Sequence, residues 1–272
     1  MWKLSSPLKS LIIVFIILFF AGGISVFLSR NKNRPKNIQK SYSNKQEIEE
    51  KDFRIDPQVV RNLKNKKIYS DQAEAIKDAD NVNILILENK NLEELSPEIF
   101  KLKNLALLYL RYNKISQIPA DISKLNNLAG LRLASNQLTR LPKELGKLTN
   151  LIGIDLENNQ LAELPPEINN LQKLKVLILN GNKIRKIQSE IFDLPNLEYL
   201  ALSKNQISEI PKEIKKLSTL KRLVLSNNQL ATLPTEFKYL NNLQLLDLSQ
   251  NKISTAQQGL IQKILPKVQI NF

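Results

Sequence analysis

Cysteine and histidine are both missing from the 272 residues of this chain. Without a thiolate or an imidazole there is no cysteine nucleophile, no Ser-His-Asp triad and no Cys/His zinc cluster. Disulfides, and a lipid on an N-terminal cysteine, are excluded as well. Carboxylates, lysines and hydroxyls are what remains for chemistry, so the composition points away from an enzyme and gives no reason to expect a cofactor, a metal or a small-molecule substrate. Aromatic residues are scarce, at 6%. They do not alternate with basic residues as in single-strand-binding surfaces, so the net charge of +14 is not by itself a nucleic-acid signature.

The charge divides in two. Residues 1–53 carry nine Lys/Arg against four Asp/Glu, and the remainder 31 against 22. In the remainder the lysines fall mostly outside the apolar periodic stretches, at Lys101, Lys103, Lys124, Lys143, Lys147, Lys212, Lys215 and Lys216. That placement reads as a solvated outer face.

Leucines stand 23 residues apart at Leu105, Leu128, Leu151, Leu174, Leu197, Leu220 and Leu243. Around each the same pattern recurs, as in Leu128, Leu131, Leu133, Asn136, Leu138, Leu141-Pro142, Leu145 and Leu148. A fixed period of this length means stacked supersecondary units that bury one continuous core. The expectation is an α/β solenoid of about eight 23-residue turns, with strands beginning near residues 84, 107, 130, 153, 176, 199, 222 and 245. From Val82 to Ile253 the pattern resembles the leucine-rich repeat family, whose turns build a horseshoe. The Leu-Pro-x-x-[Ile/Leu]-x-x-Leu half is similar to the group that includes Ras-binding scaffold repeats and bacterial, especially spirochaetal, surface repeats. The resemblance implies protein binding rather than catalysis. It also implies that Asn113, Asn136, Asn159, Asn182, Asn205, Asn228 and Asn251 turn inward to bond the backbones of adjacent coils.

Five segments are expected: 1–28, 29–53, 54–81, the repeats over 82–255, and 256–272. Lys3 and Lys9 precede an uncharged apolar run, residues 11–28. The run reads either as a signal peptide, with small residues at Ala21-Gly22-Gly23 or Gly23-Ile24-Ser25, or as a membrane anchor. Eighteen residues at ~1.5 Å rise give about 27 Å, at the short end of a membrane span. Both readings place the protein in the cell envelope or outside the cell. Residues 29–53 are polar and basic, the composition of a flexible tether. In 54–81, Asp71 to Ala79 is spaced for a short amphipathic helix with Ser70 as its N-cap, an N-terminal capping helix. At the other end a helix over Gly259 to Leu265, stopped by Pro266, and a strand over Val268, Ile270 and Phe272 form a helix-strand cap over the last coil.

Strand alternation turns the leucines into the core and their neighbours onto the concave sheet. The concave rows hold Ile86, Leu107, Tyr109, Arg111, Arg132, Asp155, Glu157, Ile178, Tyr199 and Arg222, read here as an exposed partner-binding surface of apolar, tyrosine and arginine groups. Eight strands span roughly 38 Å at about 4.8 Å each. The partner is expected to be a protein, of a host or of the envelope, with the membrane met only through residues 11–28. Two other readings remain open: a charge-driven binder of a polyanion or nucleic acid, and a structural envelope protein. A carboxylate pair drawn from Asp155, Glu157 and Asp247 is set aside because an open sheet offers no pocket to desolvate it.

Overall fold

The computed structural model describes residues 66–272 together with Asn62 and Leu63. The apolar run 11–28, the linker 29–53 and most of the 54–65 stretch lie outside the described residues. Among those described, no helix is long and apolar enough to cross a membrane.

Ten parallel strands follow one another in chain order in a single sheet. They are β1 (Ile68–Tyr69), β2 (Ile84–Ile86), β3 (Leu107–Tyr109), β4 (Gly130–Arg132), β5 (Gly153–Asp155), β6 (Val176–Ile178), β7 (Tyr199–Ala201), β8 (Arg222–Val224), β9 (Leu245–Asp247) and β10 (Gln269–Asn271). Strands β2 to β9 begin at the eight positions expected from the repeat. Each pairs with the next without offset, so that Leu108 faces Leu131, Leu131 faces Ile154 and Ile154 faces Leu177. The fold is a leucine-rich repeat solenoid. A coil below means one 23-residue period, numbered by its strand from coil 1 at β2 to coil 8 at β9.

Opposite the sheet, each coil turns through a short 3-10 helix: η2 (Pro97–Lys101), η3 (Ala120–Lys124), η4 (Lys143–Lys147), η5 (Pro166–Asn170), η6 (Ser189–Asp193), η7 (Lys212–Lys216) and η8 (Thr235–Tyr239). A further one, η1 (Ala79–Asn81), precedes β2. Proline supplies the N-cap at Pro119, Pro142, Pro165, Pro211 and Pro234, with φ between -73 and -64. This is the torsion its ring imposes, and no amide donor is required there. Each turn then drops a side chain into the core, Ile99, Ile122, Leu145, Ile168, Ile191, Ile214 or Phe237, and Phe100 and Phe192 add a second in η2 and η6. It carries an acidic residue in its first turn, favourable beside the unpaired N–H groups. The seven leucines of the 23-residue series are at most 5% exposed.

Two ladders of side-chain amides stitch the coils together. Asn159 donates to Leu133 O at 3.0 Å on the previous coil and to Leu156 O at 3.0 Å on its own, and accepts from Leu138 N at 3.0 Å. The same triad of bonds repeats at Asn136, Asn182, Asn205, Asn228 and Asn251. Asn113 closes the first coil, where Lys90 takes the asparagine position, by accepting from both Lys90 N and Leu92 N. The second ladder was not expected. Asn104, Asn127, Asn150, Asn196 and Asn242, each just before a core leucine, donate to a carbonyl 24 residues earlier.

Immediately before each ladder asparagine the backbone is left-handed. The residues are Asn89, Tyr112, Ser135, Asn158, Gly181, Lys204, Asn227 and Gln250, with φ from 51 to 65. Only one is glycine. The conformation aims the N–H along the solenoid, as in Ser135 N to Glu157 O at 2.8 Å and Lys204 N to Ser226 O at 2.9 Å. These interchain-like bonds offset the cost of left-handed geometry in residues with a Cβ.

Both ends differ from expectation in detail. Helix α1 (Gln72–Lys77) is capped by Asp71, whose Oδ1 accepts from Glu74 N at 2.8 Å, and not by Ser70. Ser70 lies one residue too early for its hydroxyl to meet the second or third helical N–H. Strand β1 was not foreseen either: Ile68 and Tyr69 pair with Ile84 and Leu85. At the far end helix α2 spans Thr255–Ile264, starting before Gly259, because Ser254 accepts from Gln257 N and opens the helix through polar residues. Strand β10 then pairs with β9.

Candidate concave interface

Eight of the ten candidate residues lie on paired strands. Ile86, Tyr109, Arg132, Asp155 and Ile178 are consecutive partners along one row. Leu107, Tyr199 and Arg222 belong to the row before it, in which Tyr199 and Arg222 are direct partners. Arg111 and Glu157 stand two residues beyond Tyr109 and Asp155, the last residues of β3 and β5.

Register brings arginine onto tyrosine twice. The Arg132 guanidinium carbon lies 5.2 Å from the Tyr109 ring centroid, and that of Arg222 lies 5.2 Å from the Tyr199 centroid. Each stack is a neighbouring-strand pair, held in place because parallel pairing without offset fixes which side chains meet. Arg111 reaches over coil 3 to Asp155, at 4.0 Å, and its Nη2 donates to the Tyr112 hydroxyl at 3.1 Å. Asp155 also accepts from Glu157 N at 3.2 Å. Burial pushes the Tyr109 hydroxyl up to about 12, with Glu88 adding to the shift and Arg132 and Arg111 opposing it. Burial likewise lowers the Arg222 guanidinium below its ordinary value.

The expectation of an exposed surface is corrected. Tyr109 is 2% exposed, Arg132 and Asp155 are 5%, and Ile178 is 3%. Leu107 and Tyr199 are buried too, whereas Ile86, Arg111, Glu157 and Arg222 are half-buried. Part of the burial is lateral, since every side chain stands between neighbours about 4.8 Å away on each flank. Asp155 is therefore not on an open, solvated sheet. Its ion-pair contact with Arg111 at 4.0 Å and its bond from the Glu157 N–H are structural partners.

Towards the C-terminal half the row that holds Arg111 and Glu157 becomes a hydrogen-bonded polar run. Asn180 accepts from Ser203 N at 2.8 Å, Ser203 and Ser226 hydroxyls meet at 2.8 Å, and Ser249 donates to Asp247 at 2.7 Å. The signal was the 23-residue recurrence of Ser203, Ser226 and Ser249 itself. On the outer face all eight lysines named from sequence are exposed. Lys216 bonds Asp193 at 2.8 Å, which raises its pKa.

A family model described as "Leucine rich repeat" matches residues 80–138, 172–230 and 196–253, together more than half of the chain. Comparison with curated proteins gives no match. Among solved structures, an internalin of Listeria monocytogenes is similar at 28% identity and a TM-score of 0.64, over 74% of this chain and 57% of that one. An internalin C2 of the same organism is similar at 27% identity and 0.60, over 66% of this chain and 76% of that one. The leucine-rich repeat ectodomain of the Arabidopsis thaliana membrane receptor kinase GASSHO1/SCHENGEN3, solved with CASPARIAN STRIP INTEGRITY FACTOR 2, is similar at 32% identity and 0.57, over 69% of this chain. This chain spans little more than half of the first internalin and 23% of the ectodomain. In all, 486 solved chains match, so the fold is too widely shared to select a partner.

Proposed function

Because the chain belongs to the leucine-rich repeat family, whose fold is typical of non-enzymatic protein-protein interaction modules, we propose that it binds a protein partner on its concave sheet, displayed at or beyond a membrane through residues 1–28. The observation that carries this reading is the pair of Arg-over-Tyr stacks, Arg132 on Tyr109 and Arg222 on Tyr199, set in the concave rows among aliphatic neighbours. Tyrosine and arginine dominate binding hot spots because each offers a large, stiff contact area with a polar end. Ile86, Leu107 and Ile178 supply the apolar ground, and Arg111, Asp155 and Glu157 supply charges that fix orientation. The ectodomain solved with its factor is a similar fold holding a protein ligand, which supports the partner class.

Affinity capture with the full chain tests the proposal. Arg111→Ala and Arg222→Ala, at half-buried positions, are each expected to weaken capture by ~1 kcal/mol or more with the melting transition retained, whereas the triple variant Tyr109→Ala, Arg132→Ala and Tyr199→Ala removes buried side chains and is expected to lower the melting temperature as well. Raising salt should weaken it only mildly, because counterion release is a minor contribution at such an interface. If the triple variant captures every partner of the parent while a Lys143/Lys147/Lys216→Ala variant loses them, charge-driven polyanion binding on the outer face replaces this reading. Cell fractionation addresses display separately. Full-length chain found wholly in the soluble cytoplasmic fraction, with Met1 to Leu28 intact, would remove the membrane part of the proposal.

A further inference from the structure

The repeat sets the same carboxylate on the concave sheet twice, four coils apart. Asp155 ends β5 in coil 4 and Asp247 ends β9 in coil 8. Both are held in one way. Asp155 Oδ1 accepts from Glu157 N at 3.2 Å, and Asp247 Oδ1 accepts from Ser249 N at 3.0 Å and from the Ser249 hydroxyl at 2.7 Å. One carboxylate oxygen is thereby fixed against the backbone two residues on, and Oδ2 is left to meet whatever lies across the sheet.

What lies across the sheet differs. At coil 4, Arg111 brings its Nε to 4.0 Å from Asp155 Oδ2, and Arg132 is the direct partner of Asp155 on the preceding strand. Four coils on, the two arginine positions are Ser203 and Val224. Ser203 turns its hydroxyl to that of Ser226, at 2.8 Å. Arg222, on the strand beside Asp247, is directed away from it, with its guanidinium carbon 5.2 Å from the Tyr199 centroid. Among the described residues no lysine or arginine pairs with Asp247, and no hydrogen-bond donor meets its Oδ2. A carboxylate with one oxygen already held by two donors is a pre-aimed acceptor for a charged group. Its surroundings are open to a partner: Asp247, Val224 and Leu245 are half-buried, and Gln269 and Asn271, which face Leu245 and Asp247 from β10, are exposed. Val224 is the direct partner of Asp247 on β8, and Leu245 precedes Asp247 by two residues, so both aliphatic side chains stand beside the carboxylate on one face.

We propose that Asp247 is the seat for an arginine side chain of the protein partner, which supplies at coil 8 the guanidinium that Arg111 supplies at coil 4. The aliphatic stem lies over Val224 and Leu245, and an N–H of the planar fork donates to Asp247 Oδ2. Guanidinium suits this place because it stays charged and is weakly hydrated, so it gives up water readily beside a half-buried carboxylate. The assignment rests on the concave sheet being the binding face, and it adds to that reading the sign and chemistry of one contact.

The test is a methyl NMR titration of the full chain, labelled at leucine and valine and held in detergent micelles, with N-acetyl-arginine amide as probe and N-acetyl-citrulline amide as its uncharged isostere. The Leu245 δ-methyl resonances are expected to shift saturably with the arginine probe and not with citrulline. Asp247→Asn, which keeps an acceptor oxygen for Ser249, should raise the apparent Kd at least about fivefold, the size of one exposed ion pair. Val224→Arg installs in coil 7 the arginine that coil 3 carries at Arg132, and should abolish the response. An equal response to citrulline, no Leu245 shift with the arginine probe, or an unchanged Kd in Asp247→Asn overturns the proposal. Protein capture that needs Arg111 and Arg222 but is the same in Asp247→Asn also overturns it and leaves the concave reading standing. Capture that fails only in the outer-face lysine variant removes the concave reading, and with it this partner contact, even where the probe still binds.

Discussion

At the scale of single residues, the inward asparagines have the greatest influence on stability relative to their size. Asn159 bonds two carbonyls and one amide that the stacked coils hide from water; without it Leu133 O keeps its bond from Asn136 and Leu156 O its bond from Asn182, so three bonds are lost and Leu138 N is left unpaired. Asn159→Ala is expected to destabilise the protein by about 3 kcal/mol, from roughly 1 kcal/mol per lost bond, with denaturant titration as the readout. A loss under about 0.5 kcal/mol would mean that water replaces the amide. This ladder was legible in advance because asparagine recurs with the leucines. The second ladder, from Asn104 to Asn242, was not, since its asparagines lie in polar stretches where any hydrophilic residue suits a solvated loop. Its break at Lys173, which instead bonds Asn150 at 2.8 Å, shows the position tolerates other donors.

At the scale of elements, interior strands and outer turns were readable, and the ends were not. A strand inside the stack is marked by leucines at fixed spacing, whereas β1 has only Ile68 and Tyr69, too short for any alternation to appear. The capping helix depends on a small polar cluster. Tyr69 donates to Asp78, Asn81 donates to Asp78 at 2.7 Å, and Lys67 meets Glu74 at 2.8 Å. The Asn81 bond first, and then that of Tyr69, lower the Asp78 pKa below its ordinary value. A depressed carboxylate favours the folded state above its unfolded pKa of about 3.9, and that contribution fades as pH falls through the lower folded value. The melting temperature should accordingly drop as the pH falls below about 4, and less steeply in Asp78→Asn than in the parent. Equal slopes in the two proteins would remove Asp78 from the acid response.

At the scale of the whole molecule, each coil rests only on its two neighbours, so cooperativity is passed along a line. Leu156 lies in coil 4 and is fully buried. Leu156→Ala is expected to cost roughly 2 to 5 kcal/mol, and to uncouple the two halves so that calorimetric and van't Hoff enthalpies disagree. A single sharp transition, shifted but still two-state, would show stronger coupling than nearest-neighbour stacking provides. The alternation that sorts core from concave residues was fully legible in sequence at this scale. Concave burial was not, because a pattern of faces says which side chains are neighbours but not how much of each stays wet. Alternation puts Ser203, Ser226 and Ser249 on the concave face, but their mutual hydrogen bonding was not legible, because serine carries no mark of depth.

The absence of any offset between adjacent strands has an outcome for how such a chain can change over time. From β2 to β9 residue n meets residue n + 23, as Gly130 meets Gly153 and Val176 meets Tyr199. Loss of one amino acid from a strand turns leucines outward in every bond that follows, while loss of a complete period removes a storey and leaves the rest of the building aligned. Excision of residues 151–173 joins Asn150 to Leu174, a junction of the same kind as Asn127-Leu128, and is expected to give a soluble repeat region that still melts cooperatively, whereas excision of 151–172 should not. Circular dichroism melting of the two deletions decides it. Length, and with it the number of contact positions in each row, is then a quantity that duplication and deletion can set without redesign of the core.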